Sequence, residues 1–208
     1  GFTKAPFDIL GDTLRGTKDI MLDIYRRPEK IKEAMERLLP IAIEMGVSAS
    51  NVNNHPFILI PLHKGADIFM TRDQFAEFYW PTLKKLILGL TDEGCVPAFF
   101  VEGAYNNRLD FLADPDLPEG KIYWYFDKTD MVKAKKHLSG KAAIGGNVPA
   151  SLIKAGNPEK VEKYVKELID KVAGDGGYML TCGAVIDDAE EENLRAMIKA
   201  GRKYGQYN

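Results

Sequence analysis

The sequence predicts an α/β fold built on a parallel sheet, and three observations carry the prediction. Five short apolar runs, "HPFILIPL", "VPAFFVEG", "KIYWYFD", "KAAIGGN" and "GYMLTCG", are each followed by polar residues or glycine. Segments whose apolar residues recur at helical spacing lie among them. The runs are apolar on both faces, as strands must be when helices cover a parallel sheet. A TIM-type (β/α) barrel, or half of one, is the expected architecture. No G-x-G-x-x-G or G-x-x-x-x-G-K-S/T opens a helix, so dinucleotide and P-loop folds lack their own motifs.

Taken in order, a helix is expected over 28–45, with Pro40 bending or breaking it. "HPFILIPL" is the first strand. In "TRDQFAEFYWPTLKKLILGLTDEG", Thr71 and Gln74 stand at capping-box spacing, and Phe75, Phe78, Tyr79, Leu83, Leu86 and Ile87 continue a helical stripe in which Pro81 predicts a kink. "VPAFFVEG" and "KIYWYFD" are the second and third strands, followed by a helix over 130–138 and a fourth strand at "KAAIGGN". "NPEKVEKYVKELIDKVAGDGG" is a helix with Asn157 as N-cap, Pro158 in the first turn, an apolar stripe of Val161, Val165, Leu168, Ile169 and Val172, and Gly174 as its stop. After a fifth strand at "GYMLTCG", a last helix over 190–203 places Leu194, Met197 and Ile198 on one face.

Composition limits the functions such a fold can serve. At 208 residues, 45% hydrophobic and 28% charged, the chain can bury a sizeable core as one domain. Its 28 basic and 30 acidic residues are spread along the chain, which leaves no electrostatic footprint for a nucleic acid. No segment approaches the roughly 18–20 consecutive apolar residues of a membrane span, and no basic and apolar leader opens the sequence. A soluble, cytoplasmic protein is expected. Cys95 and Cys182 stand apart, without a C-x-x-C or a neighbouring histidine pair, so neither a disulfide framework nor a self-evident zinc site follows.

In a (β/α) barrel the reacting groups sit where strands hand over to their loops. That rule selects His63, Glu102, Asp127, Asn147, and Cys182 with Gly183. Polar residues at such places also cap helices and tie down loops, the ordinary reading for Asp127 and Asn147. Cys182 reads first as a small buried filler, since free cysteine is among the most buried residue types. Glu102 stands out, because a carboxylate directly after four apolar residues is costly to bury unless paired, metal-bound or protonated. His55 and His137 have no context that singles them out.

The stretches "APFDILGDTLRG", "YRRPEKIKEAM", "GADIFMTRDQFAEFYWPTLKKLI", "GGNVPASLIKAGNPEKVEKYVKELID" and "GGYMLTCGAVIDDAEEENLRAMI" together resemble the uroporphyrinogen decarboxylase superfamily. That superfamily comprises the haem-pathway decarboxylase and the cobamide-dependent methyltransferases. The resemblance implies a (β/α)8 barrel of which residues 1–208 hold roughly the last five β/α units, as a barrel domain incomplete at its N-terminal side. An arc of this kind would expose strand edges and apolar strand faces.

The sequence departs from both branches. Asp12 stands where the decarboxylases carry a tyrosine, and Ala184 where they carry a histidine. The coenzyme M methyltransferases hold zinc through His-x-Cys and a later cysteine; here Phe100 and Glu102 occupy the first pair and Ala184 the third position, with Cys182 two residues before it. A zinc site of Glu102 with Cys182 or His63 is the variant these residues leave open. A porphyrinogen with several carboxylates calls for a basic cavity, whereas the strand ends offer Glu102, Asp127 and Asp187. The resemblance therefore points to a methyltransferase that moves a methyl group from a small O-, N- or S-methyl substrate to a corrinoid protein. Porphyrinogen decarboxylation and a non-catalytic barrel subunit are the alternatives. In the first reading a buried Glu102 is the acid or a metal ligand, and Asp127 or His63 tunes it. Tyr105, Asn107, Arg108, Asp12 and Asn147 position the substrate. Corrinoid protein, small molecule and a second copy of the chain are the partners this reading admits.

Overall fold

The computed structural model describes residues 1–183 and 185–206. Before the sheet come α1 (Pro6–Ile9), α2 (Thr17–Arg26) and α3 (Pro28–Asn53), with a wide π-type turn at Leu10–Leu14 joining the first two. The strands are β1 (Phe57–Leu62), β2 (Val96–Val101), β3 (Tyr123–Phe126), β4 (Ala143–Val148) and β5 (Tyr178–Cys182). Between β1 and β2 lie α4 (Arg72–Gln74), a second π-type turn (Phe75–Tyr79) and α5 (Trp80–Asp92). The later crossovers carry α6 (Leu109–Leu112), α7 (Met131–Leu138), and α8 (Ala150–Ala155) with α9 (Pro158–Val172), and α10 (Glu191–Tyr204) follows β5.

Every neighbouring pair of strands is parallel and the order is sequential, β1-β2-β3-β4-β5. Five β/α units of a TIM-type barrel are thus laid side by side, with all the carboxyl ends at one rim. At the β1 edge the chain start adds a short parallel pairing, in which the Thr3 amide donates to the Leu59 carbonyl and the Leu59 amide to Gly1.

The core fills the helix-facing side of this sheet. Ile60, Phe99, Trp124 and Ile144 stand in register across four strands, fully buried, and the Phe99 and Trp124 rings stack at 4.4 Å. The opposite face differs from the two-sided burial that the apolar runs suggest. Phe57, Leu59 and Met179 are about half exposed there, because among the described residues no further strand closes over that face.

Two prolines behave differently from one another. Pro40 does not break α3, which runs 26 residues through it. Pro40 faces solvent, so the carbonyl it leaves without a donor meets water, while Met35, Leu39 and Ala42 hold the buried face on both sides of it. Pro81 sits in the first turn of α5, and the irregularity it announces is the π-type turn before it, where the Trp80 amide reaches back to the Phe75 carbonyl. The Thr71–Gln74 capping box, the Asn157 cap and an Asp130 cap on α7 are all formed.

Candidate functional site at the carboxyl rim of the sheet

The segment "PFDILGD" begins as α1 and widens into the first π-type turn, carrying two carboxylates to the rim at the end of β1. Asp8 is completely buried. Its oxygens accept from the Lys64 amide at 3.0 Å and from the Tyr79 hydroxyl. Burial pushes its carboxyl up to about 6, against the hydrogen bond from Tyr79. Asp12 lies nearer the solvent. It accepts from His63 Nδ1 at 2.7 Å, from Lys4 Nζ at 3.0 Å and from the buried Lys64 ammonium. Its own partial burial is outweighed by those hydrogen bonds from Lys64, Lys4 and His63, which bring it down to about 2.

With Nδ1–H turned toward Asp12, the His63 ring presents Nε2 to the rim, 3.7 Å from Glu102 Oε2. Asp12, His63 and Glu102 form a line from the protein's interior side to the open mouth. Lys64 and Lys4 keep the inner end ionised. This arrangement holds one imidazole in a fixed orientation and gives its outer nitrogen a carboxylate neighbour, which suits proton transfer to or from a bound molecule.

The remaining predicted residues divide. Glu102 is at the rim but its side chain is 53% exposed, so it is not the buried acid that the preceding apolar run suggests. The period-two alternation explains this: Val101 faces the helices, and Glu102 faces the opposite way. Asp127 accepts from the Gly103 amide at 3.0 Å and so fixes the turn that presents Glu102; Gly103 itself adopts φ +77°, with no room to spare beside Ala66. Tyr105 and Arg108 are buried framework rather than substrate contacts. The Tyr105 hydroxyl lies 3.4 Å from the Leu62 carbonyl, and the Arg108 guanidinium is spent on the Gly65 and Met70 carbonyls and Asp67. Asn107 is exposed, with its backbone clasped by Asp67 and Arg72. Asn147 lies within β4 and donates to the Thr129 carbonyl at 2.8 Å.

Zinc does not fit the residues expected to hold it. Cys182 is buried on the helix-facing side, against Met197, and not on the face that carries Glu102; burial pushes its thiol up. Ala184 lies outside the described residues. Among the described residues only Asp8, Asp12 and His63 bring three such donors within 4.8 Å of one another. A cation there would have to displace the ammonium groups already bonded to Asp12.

Asp8, Lys4, Lys64 and Tyr79 escaped the sequence reading. The available signal was the pair Asp8 and Asp12 four residues apart, and a lysine directly after His63.

The sequence profile described as uroporphyrinogen decarboxylase (URO-D) matches residues 1–204. The chain belongs to this family. Curated uroporphyrinogen decarboxylases of Saccharophagus degradans and Protochlamydia amoebophila are 22% and 25% identical to it, over 100% and 97% of the chain. The chain spans 60% and 53% of their lengths. A solved structure described as a methyltransferase from Methanosarcina mazei superposes with a TM-score of 0.76 at 21% identity, covering 99% of this chain and 58% of that one. That likeness establishes the fold. Among the described residues, no helix of this URO-D family chain is long and apolar enough to cross a membrane.

The two aspartates of this URO-D chain make opposite contributions to stability as pH changes. Asp12 is depressed, so its contribution is present above its ordinary 3.8 and is lost as pH falls through about 2. Asp8 is raised, so its contribution is present below 3.8 and is lost as pH rises through about 6. Urea unfolding of the wild type is therefore expected to lose up to about 3 kcal/mol through Asp8 across that window, and Asp8→Asn is expected to flatten this part of the profile.

Proposed function

We propose that the chain carries the acid–base machinery of a methyltransferase that moves a methyl group from a small O-, N- or S-methyl substrate to the reduced corrinoid of a partner protein. The observation that carries this reading is the Asp12–His63–Glu102 line; the resemblance puts its first member where the decarboxylases carry a tyrosine. The methyl–heteroatom bond breaks with its electron pair left on the heteroatom, and the acceptor supplies the pair for the new bond to carbon. The leaving heteroatom then needs a proton.

His63 is placed to supply it. Protonated, its Nε2–H faces the mouth, and Asp12 stabilises the charged ring through Nδ1. Glu102, at 3.7 Å and solvent-exposed, returns a proton from water for the next turnover. Glu102 is thus assigned the tuning role and His63 the donor role, because it is His63 whose orientation is fixed. Phe100 and Tyr125, whose rings lie 4.9 Å apart on the sheet face that carries Glu102, offer an apolar wall for the methylated group.

The curated relatives' names favour decarboxylation as the rival. Against it, Lys4 and Lys64 at this rim are both already bonded to Asp12, and Arg108 is buried away from any substrate. The deciding experiment incubates the protein with chemically reduced cobalamin and a panel of methyl ethers, methylamines and methyl thioethers. Methylcobalamin formation, seen by its absorbance, is the expected result. No methyl transfer, together with carbon dioxide release from a porphyrinogen, would overturn the proposal.

A further inference from the structure

Asp8 lies beneath the proton-carrying line, and no step described so far uses it. Its two oxygens are divided between the Lys64 amide and the Tyr79 hydroxyl. The Lys64 amide belongs to the peptide that follows His63, so whatever holds it fixes where the His63 ring leaves the strand. Asp12, four residues further along the same segment, holds the ring itself and the Lys64 ammonium. The two carboxylates grip one dipeptide, the first by its backbone and the second by its side chains. Burying a carboxylate to hold an amide is unfavourable beside an apolar side chain of similar size. A neutral side chain would also make a weaker hydrogen bond to that amide.

We propose that Asp8 is a positioning residue for His63, and that taking up a proton on this one buried carboxylate loosens the His63–Lys64 dipeptide. For its effect on rate the proposal rests on the donor role assigned to His63; for its effect on structure it rests on the hydrogen bonds alone. The ionisable groups that face Asp8 are Asp12 on its own segment, His63 and Lys64 after β1, Tyr79 before α5, and Tyr105 after β2. Ionised, Asp8 accepts from both of its donors. Protonated, one oxygen must itself donate, so Tyr79 has to turn and the bond from the Lys64 amide loses its assistance from charge.

The test follows the Lys64 amide proton of the full chain by NMR from about pH 5 to pH 8, a window that spans the raised Asp8 carboxyl. The signal is expected to titrate in the wild type with a midpoint near the 6 of Asp8. In Asp8→Asn that titration disappears and the His63 ring signal shifts, while His55 and His137 keep theirs. Tyr79→Phe, which removes one donor and leaves the carboxylate, moves the midpoint upward. A Lys64 amide that is flat in the wild type, or that titrates unchanged in Asp8→Asn, overturns the proposal.

In the methyl-transfer assay, Asp8→Asn is expected to lower kcat about 10- to 100-fold with little change in KM. It should cost nothing further when His63 is already glutamine. A further loss in that background would place the action of Asp8 elsewhere and defeat the positioning role. Should the wild type transfer no methyl group, the functional reading fails and the amide titration alone decides.

Discussion

Replacing His63 with glutamine is expected to slow methyl transfer by about 10²- to 10⁴-fold, the range that a positioned acid or base contributes. The variant keeps the reach of the side chain to the Nε2 position and places there an amide that can hydrogen-bond. What it loses is a group that can carry a proton at Nε2, where the wild-type ring faces Glu102. The loss belongs in kcat, because the proton is needed as the bond breaks and not as the substrate binds. Substrates with better leaving groups, such as methylated ammonium or sulfonium ions, need no proton and should be spared. Rates measured across such a series separate this role from general damage. A glutamine variant within about threefold of wild type on an ether substrate would remove His63 from the chemistry.

The second large effect falls on stability. Arg108→Met is expected to cost about 3–5 kcal/mol, read as a lower urea midpoint with an unchanged slope. Its Nε donates to the Gly65 carbonyl at 3.1 Å, Nη2 to the Met70 carbonyl at 2.6 Å, and Nη1 lies 3.3 Å from Asp67. The guanidinium also covers the Phe75 ring at 4.9 Å. Methionine fills much of the same volume but leaves two carbonyls without these donors and Asp67 without its cation. Arg108→Lys should recover little, since an ammonium cannot bond two carbonyls and a carboxylate in the fixed geometry of a fork. The loop from Gly65 to Met70 follows directly on His63 and Lys64, so catalysis should fall along with stability.

The strands were legible because their apolar runs are short, bounded by glycine or polar residues, and separated by helical stripes. The parallel order followed from that alternation. Asn157, Thr71 and Gln74 announced their caps through local chemistry that tertiary packing does not override. Glu102 was found, but its burial was misjudged: the run before it suggested a fully enclosed strand, while alternation from Val101 already aimed it at the open face. Pro40 did not break α3 because a proline is tolerated where the freed carbonyl faces water, and only the packing of α3 shows which side that is. Asp8 and Lys64 were hidden for another reason. Their partners lie 52 to 71 positions away in sequence, and a carboxylate within an apolar segment carries no mark of the tyrosine that will meet it.

The open sheet face has a practical corollary for anyone measuring this protein's melting. For residues 1–208 on their own, Phe57, Leu59 and Met179 offer apolar surface on which an environment-sensitive dye such as ANS can settle. Dye fluorescence will therefore start high and blur the transition. The two indoles, Trp80 and Trp124, are both enclosed, so their intrinsic emission is the cleaner thermometer.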